Sequence, residues 1–250
     1  MSRRPMIAGN WKLNLTVEEA VSLAGEIASG LMRDDLDVLV IPGFLALEPV
    51  ALSLSSSPVL VGGQNLFWQE QGAYTGEVSG PQLKAAGARY VLVGHSERRQ
   101  YFGETEKTCR LRLEAALKAG LRPILCVGET RDERESGQTE GVVESQLAGA
   151  LAGLSAGEMA EVTIAYEPVW AIGTGLTASE EQANQAHAYI RGWIGSRFDK
   201  LVANSTGILY GGSVKSANAA GLLHQPEVDG ALVGGASLSA ESFLGIIQAA

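Results

Sequence analysis

Short apolar runs recur along the chain, and amphipathic helical patterns separate them. The runs are apolar throughout, which is typical of parallel strands that are covered on both faces. Eight runs are present, at positions 6–8, 38–41, 59–61, 90–93, 124–127, 162–165, 207–209 and 231–233. Eight is the number of strands that closes a parallel α/β barrel, so the pattern predicts a closed parallel (β/α)8 barrel.

The segments between the runs carry clear helix signals. Thr16 and Glu19 form the pattern of a capping box, and Ser179 and Gln182 repeat it. Apolar residues follow each box at the helical period of 3.6 residues, which gives each helix one face to pack on the barrel. A third predicted helix ends at Gly120, a residue type that commonly terminates helices.

The length and composition fit one domain over residues 1–250, with 46% hydrophobic and 19% charged residues. This composition excludes a disordered chain, because enough apolar surface is available to offset the entropy of ordering.

An open doubly wound sheet also alternates strands and helices. Its usual glycine-rich fingerprint is absent from the first turn, which reads Gly9-Asn10-Trp11-Lys12, so the closed barrel is favoured.

The net charge of −9 argues against nucleic acid or an anionic membrane as a partner, since both require a basic face. A small anionic substrate stays possible, because a pocket can be locally positive. Cys109 and Cys126 are too few for a disulfide framework or a zinc site. With no export signal and no run long enough to span a bilayer, we expect a cytoplasmic protein.

Polar residues and glycine turns directly follow several of the apolar runs. In a closed barrel these positions meet on one rim, where the reactive groups lie. They are Asn10 and Lys12 after the first run, His95 after the fourth, Glu167 after the sixth, Gly211-Gly212-Ser213 after the seventh and Gly234-Gly235 after the eighth.

His95 stands at a strand end, and a short helix is predicted to begin just after it. Backbone N–H groups at the start of that helix disfavour the imidazolium, which leaves a neutral ring able to donate to a carbonyl oxygen. His187 and His224 lie on or near helices and are interpreted as structural. His95 is therefore the candidate electrophile.

Glu167 lies between apolar segments, which favours a carboxylate that acts as a base over a solvated surface group. The segment that follows resembles a lid, since Pro168 stiffens one end, glycines make the tip pliable and Ile172 supplies an apolar cover. The glycine turns after the seventh and eighth runs each lead into a helix, so their amides are candidates for binding a phosphate.

Five segments together resemble the triosephosphate isomerase family, in order and across the whole chain. They are Ala8-Gly9-Asn10-Trp11-Lys12, Gly94-His95-Ser96-Glu97-Arg98-Arg99, Ala165-Tyr166-Glu167-Pro168-Val169-Trp170-Ala171-Ile172-Gly173-Thr174-Gly175, Tyr210-Gly211-Gly212-Ser213-Val214 and Gly234-Gly235-Ala236-Ser237. The resemblance implies a single-domain TIM barrel that interconverts dihydroxyacetone phosphate and D-glyceraldehyde 3-phosphate through an enediolate, without a metal or cofactor.

The resemblance also implies the roles of the site residues. Glu167 would remove the proton beside the carbonyl, and His95 would polarise the carbonyl and move protons between the two oxygens. Lys12 and Asn10 would stabilise the oxyanion, and Glu97 would position Lys12. The phosphate would be held by Gly173, Gly212, Ser213, Gly234 and Gly235, with Ile172 and Leu232 as a dry wall.

A polar segment from Gln64 to Glu77 resembles the family loop that reaches into a partner subunit. The resemblance therefore implies a homodimer, with Thr75 near the Asn10 and Lys12 of the neighbouring chain. One departure is Leu176, at the trailing hinge of the lid, where many relatives carry a lysine. We expect it to alter at most the kinetics of lid opening.

Other functions remain open from the residues alone. Another phosphate-metabolite isomerase or synthase would share the glycine turns but not the set of His95, Glu167 and lid. A catalytically silent barrel that serves as a binding protein would be expected to have lost at least one reactive position. A metal-dependent aldolase would need a cluster of histidines at the strand ends, and the sequence offers none.

Overall fold

The eight apolar runs form eight strands in the computed structural model of the chain, which describes residues 3–173 and 176–250. The strands are β1 Met6–Asn10, β2 Asp37–Ile41, β3 Leu60–Gly63, β4 Tyr90–Val93, β5 Arg122–Val127, β6 Thr163–Tyr166, β7 Ile208–Tyr210 and β8 Gly230–Val233. Each strand pairs in parallel with the next, and β8 pairs with β1. The predicted closed parallel (β/α)8 barrel is confirmed.

Alternate strand residues face two different apolar regions, which explains why the runs are apolar throughout. One set fills the barrel interior: Met6, Ala8, Leu39, Ile41, Tyr90, Leu92, Ile124, Cys126, Ala165, Leu209 and Leu232. The other set, which includes Ile7, Val91 and Val93, packs in the layer between the strands and the helices. Both faces of every strand are thus removed from water.

Twelve α-helices of the described residues surround the barrel. They are α1 Val17–Gly30, α2 Phe44–Ser53, α3 Gly80–Ala85, α4 Ser96–Phe102, α5 Glu106–Lys118, α6 Arg131–Glu135, α7 Thr139–Ala150, α8 Ala156–Met159, α9 Glu180–Arg197, α10 Lys200–Ser205, α11 Ser216–Leu223 and α12 Ala240–Gln248. Both predicted capping boxes are present, at Thr16 before α1 and at Ser179 before α9. Gly120, with φ of 71°, follows the end of α5 as predicted. Among these helices none is long and apolar enough to cross a membrane.

The structural interpretation of His187 is confirmed. It lies on α9 with no exposed surface, and its Nδ1 is 3.2 Å from the carbonyl oxygen of Glu227. Burial lowers the pKa of His187 to about 3. The ring is therefore neutral and packs edge-on against Tyr166, at 5.9 Å between ring centroids.

Candidate active site

A cavity of 640 Å³ opens at the carboxyl ends of the strands. Of the residues predicted for the site, all but Glu97 line it: Asn10, Lys12, His95, Glu167, Gly173, Gly212, Ser213, Gly234 and Gly235. Ile172 and Leu232, the predicted apolar wall, line it as well. The barrel thus brings together groups that are more than 200 positions apart in the chain, as Asn10 and Gly235 are.

His95 is held by the turn between β4 and α4. Gly94 has φ of 70°, a left-handed conformation that turns the chain sharply at the end of β4. His95 is the N-cap of α4, and its Nδ1 accepts a hydrogen bond from the Glu97 N–H at 3.3 Å. A neutral ring that accepts at Nδ1 carries its proton on Nε2, so the donor points away from the helix.

Glu167 lies beside His95 although the two are distant in sequence. Its Oε1 is 3.0 Å from His95 Nε2, and its Oε2 accepts from the Ser96 N–H at 2.9 Å. Only 2% of Glu167 is exposed. A carboxylate this deeply buried requires hydrogen-bond donors, and the imidazole and the helix N-terminus supply them.

Two glycines make room for the Glu167 backbone. A Cβ at Gly128 would lie 2.5 Å from the Glu167 carbonyl carbon, and one at Gly211 would lie 2.8 Å from Glu167 Cγ. The backbone of Glu167 also donates to the Val127 carbonyl at 2.7 Å. Strands β5 and β7 therefore set the position of this residue from both sides, with no space for another side chain.

Lys12 supplies positive charge at the β1 side of the cavity, which Lys215 also lines. Its Nζ is 2.6 Å from Glu97 Oε1, and Asn10 Oδ1 accepts from the Lys12 N–H at 3.0 Å. The other carboxylate oxygen of Glu97 is 3.7 Å from His95 Nδ1. Glu97 therefore contacts two of the predicted residues from outside the cavity, as its predicted positioning role requires.

The glycine turns after β7 and β8 complete the wall of the cavity, next to Glu167 and Lys12. Gly212 and Ser213 precede α11, and Gly234 precedes a 3₁₀ turn at Gly235–Leu238. A Cβ at Gly212 would lie 2.5 Å from the ring of Tyr210, and one at Gly234 would lie 3.4 Å from Lys12 Cε. Backbone N–H groups at helix starts attract anions, so the turns and Lys12 make a locally positive region.

The comparison with known proteins agrees with this geometry. The family model for triosephosphate isomerase matches residues 5–250. The triosephosphate isomerase of Citrifermentans bemidjiense is 51% identical, and the match covers 98% of each chain. That of Trichlorobacter lovleyi is 50% identical, again over 98% of each chain, and that of Rhodopirellula baltica is 50% identical over 100% of this chain and 99% of its own.

The chain belongs to the triosephosphate isomerase family. Its described residues contain no group of three or more His, Cys, Asp or Glu side chains that could hold a metal ion. Cys109 and Cys126 are buried and unpaired, and burial raises the pKa of both thiols. A protonated buried thiol packs as a small apolar group.

In this member of the family, the base of the lid is anchored on Glu129. Trp170 Nε1 donates to Glu129 Oε1 at 2.9 Å, and the Tyr166 hydroxyl donates to the same carboxylate at 3.0 Å. Burial and the Glu129 charge raise the pKa of Tyr166, so its hydroxyl stays a donor. At the trailing end the Ala178 N–H donates to the Tyr210 hydroxyl at 3.3 Å.

The predicted lid lies between these anchors. Pro168 precedes a 3₁₀ turn at Val169–Ala171, and Ile172 lines the cavity as expected. Thr174 and Gly175, which belong to the predicted tip, lie outside the described residues. Leu176 is about half exposed. Its predicted effect on lid opening stays a prediction.

Several residues that contact the site were not identified from the sequence. Ser96 holds the Glu167 carboxylate, Glu129 anchors the lid, and Gln64 donates to the Lys12 carbonyl at 2.7 Å. Glu129 follows β5 almost directly, so the search for polar residues after apolar runs could have selected it. The roles of Ser96 and Gln64 depend on contacts between distant segments, and no local pattern signals them.

Proposed function

We propose that the chain interconverts dihydroxyacetone phosphate and D-glyceraldehyde 3-phosphate, with Glu167 as the base and His95 as the electrophile. The pairing of the buried Glu167 carboxylate with the His95 imidazole, 3.0 Å apart at the wall of a locally positive cavity, carries the proposal. Membership of the triosephosphate isomerase family supports the same reaction. The substrate is a small phosphorylated triose.

In the first step, the Glu167 carboxylate takes a proton from the carbon next to the substrate carbonyl. As electrons move toward oxygen, His95 Nε2–H donates to that oxygen. Lys12 and the free amide nitrogen of Asn10 stabilise the negative charge as it develops. Glu97 holds the Lys12 ammonium within reach of that oxygen.

The second step returns the proton to the neighbouring carbon. His95 moves protons between the two oxygens of the enediolate, and Glu167 delivers its proton to the other carbon. Every bond that breaks has a counterpart that forms, so the reaction balances without a metal or a cofactor. Glu167 and His95 therefore suffice as the groups that exchange protons.

The phosphate binds at the backbone N–H groups of Gly173, Gly212, Ser213, Gly234 and Gly235. These amides and Lys12 attract a dianion although the whole chain carries a net charge of −9. Ile172 and Leu232 then cover the reacting carbons on lid closure. Excluding water matters because an exposed enediolate readily expels its phosphate.

The decisive experiment measures conversion of D-glyceraldehyde 3-phosphate to dihydroxyacetone phosphate in EDTA. We expect rapid conversion by the parent and a loss of at least about 1000-fold in kcat for Glu167→Gln, because general base catalysis and its positioning are both removed. Glu167→Asp retracts the carboxylate by one methylene and lowers kcat with little change in KM.

Glu161→Gln is the matched control, because this glutamate is exposed and pairs only with Arg122 at 3.3 Å among the ion pairs of the described residues. It leaves kcat and KM unchanged. Full turnover by Glu167→Gln would remove Glu167 as the base. No conversion by a folded parent would instead favour a barrel that binds phosphate without catalysis.

The functional form is proposed to be a homodimer, and exposed apolar residues support this. Leu13, Phe44, Leu45, Tyr101 and Phe102 are large, at least 41% exposed, and lie in the segments that follow β1, β2 and β4. The loop around Thr75, after β3, is exposed as well. The loops that follow the four neighbouring strands β1 to β4 thus offer exposed surface to a second copy.

Dilution tests the homodimer. We expect sedimentation to give a dimer at micromolar concentration, and Thr75→Arg to shift the mass toward the monomer and lower kcat, because Thr75 would lie near the partner's catalytic lysine. Lys200→Glu, which changes charge on an exposed side chain of α10, serves as a control. A fully active monomer at nanomolar concentration would contradict the proposal.

A cytoplasmic location is proposed because both cysteines are buried and unpaired, as is usual for proteins of a reducing compartment.

A further inference from the structure

The backbone of Lys12 adopts a conformation that its residue type disfavours. Its φ is 51°, and only Lys12 and Leu15 have positive φ among the non-glycine residues described. In this left-handed region the Cβ crowds the backbone, so such a residue persists only where surrounding contacts hold it. The strain lies at a lysine that lines the cavity beside His95 and Glu167.

Gln64 makes the contact that holds this conformation from the carbonyl side. Gln64 directly follows β3, and its Nε2 donates to the Lys12 carbonyl at 2.7 Å and to the Ile41 carbonyl at 3.2 Å. The Ile41 carbonyl also accepts from the Trp11 N–H at 3.1 Å. One amide group therefore joins the ends of β1, β2 and β3.

The peptide groups on both sides of the Lys12 Cα are thus fixed. Asn10 accepts from the Lys12 N–H at 3.0 Å, and Gln64 donates to the Lys12 carbonyl. With both peptide planes held, the direction of the Lys12 Cα–Cβ bond is determined. That direction brings Nζ to 2.6 Å from Glu97 Oε1.

We infer that Gln64 is a positioning residue for the reaction, acting through the backbone of Lys12. This inference rests on the proposed function, in which the Lys12 ammonium stabilises the oxyanion and attracts the phosphate. Without the Gln64 amide, the Lys12 peptide relaxes toward negative φ and the ammonium leaves its place. Because the ammonium attracts the phosphate in the bound substrate and stabilises the oxyanion more strongly in the transition state, both KM and kcat respond.

The test compares Gln64→Met with the parent. Methionine keeps the length of the side chain and removes both donors. We expect kcat/KM to fall by about tenfold or more, since a displacement of about 1 Å at a group that acts on the substrate can lower the rate about 100-fold. KM rises, kcat falls, and inorganic phosphate binds more weakly by calorimetry. In Gln64→Glu a carboxylate, which can only accept, faces two carbonyl oxygens, and we expect kcat/KM to fall further than in Gln64→Met.

Gln225→Met is the matched control. Gln225 Nε2 also donates to a backbone carbonyl, that of Gly221 at 2.9 Å, and the residue does not line the cavity. It loses a similar hydrogen bond, so its unfolding temperature drops comparably, but its kcat, KM and phosphate affinity stay at the parent values. A purely structural role for Gln64 would give the same result as this control and would overturn the inference.

The outcomes separate this inference from the proposed function. An inactive parent refutes the proposed function. The role of Gln64 is then decided by comparing the phosphate affinities and the crystal structures of the parent and the Gln64→Met variant. The inference about Gln64 is overturned if the Gln64→Met variant keeps a φ near 51° at Lys12 and binds phosphate with the parental affinity. If Gln64→Met does not fold, Gln64→Asn, whose amide is one methylene too short, replaces it.

Discussion

Gly128→Ala is the change that most directly tests how the barrel positions Glu167. The added Cβ would lie 2.5 Å from the Glu167 carbonyl carbon and 3.2 Å from its Cα. The nearest atom to the added Cβ is the Glu167 carbonyl oxygen, which it would overlap. Non-bonded carbons pack about 3.5–4.0 Å apart, so the Glu167 backbone must retreat by at least about 1 Å. Gly128 itself has little freedom, because Gln146 accepts from its N–H at 2.8 Å and donates to its carbonyl at 3.1 Å.

Two effects follow from this displacement. Misplacing a catalytic group by about 1 Å lowers the rate by about 100-fold, or about 2.7 kcal/mol. Overpacking at the end of β5 lowers the free energy of unfolding by about 1–3 kcal/mol. KM changes less than kcat, since the three atoms nearest the added Cβ all belong to Glu167 and none to the phosphate-binding turns.

The assay is steady-state kinetics with D-glyceraldehyde 3-phosphate, together with thermal unfolding. Gly192→Ala is the control, because Gly192 lies inside α9 and an added Cβ meets nothing within 4 Å. That variant keeps the parental kcat and gains about 0.5–1 kcal/mol of stability, as alanine favours a helix over glycine. A folded Gly128→Ala protein with kcat within threefold of the parent would refute the reasoning.

Two other predictions concern the phosphate and the response to pH. Ser213→Ala keeps the backbone N–H but removes the hydroxyl, which we expect also to donate to the phosphate. It raises KM about tenfold and leaves kcat nearly unchanged, because a hydrogen bond to a charged group is lost in both substrate and transition state. Ser205→Ala, which loses a bond to the Val202 carbonyl at 3.0 Å, changes neither KM nor kcat. His187 has a pKa of about 3 when folded against 6.5 ordinarily, so the unfolded chain binds the extra proton between these values. Stability contributed by His187 is therefore complete above about pH 6.5 and decreases by up to about 1.4 kcal/mol per pH unit as the pH falls toward 3. Urea unfolding between pH 4.5 and 7 should show a shallower dependence for His187→Gln than for the parent, and identical slopes would contradict the assignment.

The fold was predictable because its determinants are local and repeated. Each strand is a short apolar run, and each of several helices starts at a capping box such as that of Thr16 and Glu19. Strand ends differ by up to two residues from the runs. The seventh strand reaches Tyr210, beyond the predicted run, because Tyr210 pairs with Tyr166 of β6. Pairing with a neighbouring strand, which no local pattern contains, decides where a strand stops.

The candidate site was predictable where its residues follow strands directly. His95 and Glu167 stand at strand ends, and barrel closure confirms that they meet. The pattern did not indicate that Ser96 holds the Glu167 carboxylate, since 71 positions separate the two residues. It also did not indicate Glu129, whose bonds to Tyr166 and Trp170 span 37 and 41 positions.

The sequence by itself determined the strand and helix pattern, the closed barrel, the family and the residue types available for chemistry, because periodicity, capping and motif order are properties of neighbouring positions. Tertiary structure decided the strained backbone of Lys12, the donors that hold Glu167 and the space that Gly128 leaves for it. Each of these depends on distances of a few ångströms between different strands. Such distances arise only when all eight strands close around one core.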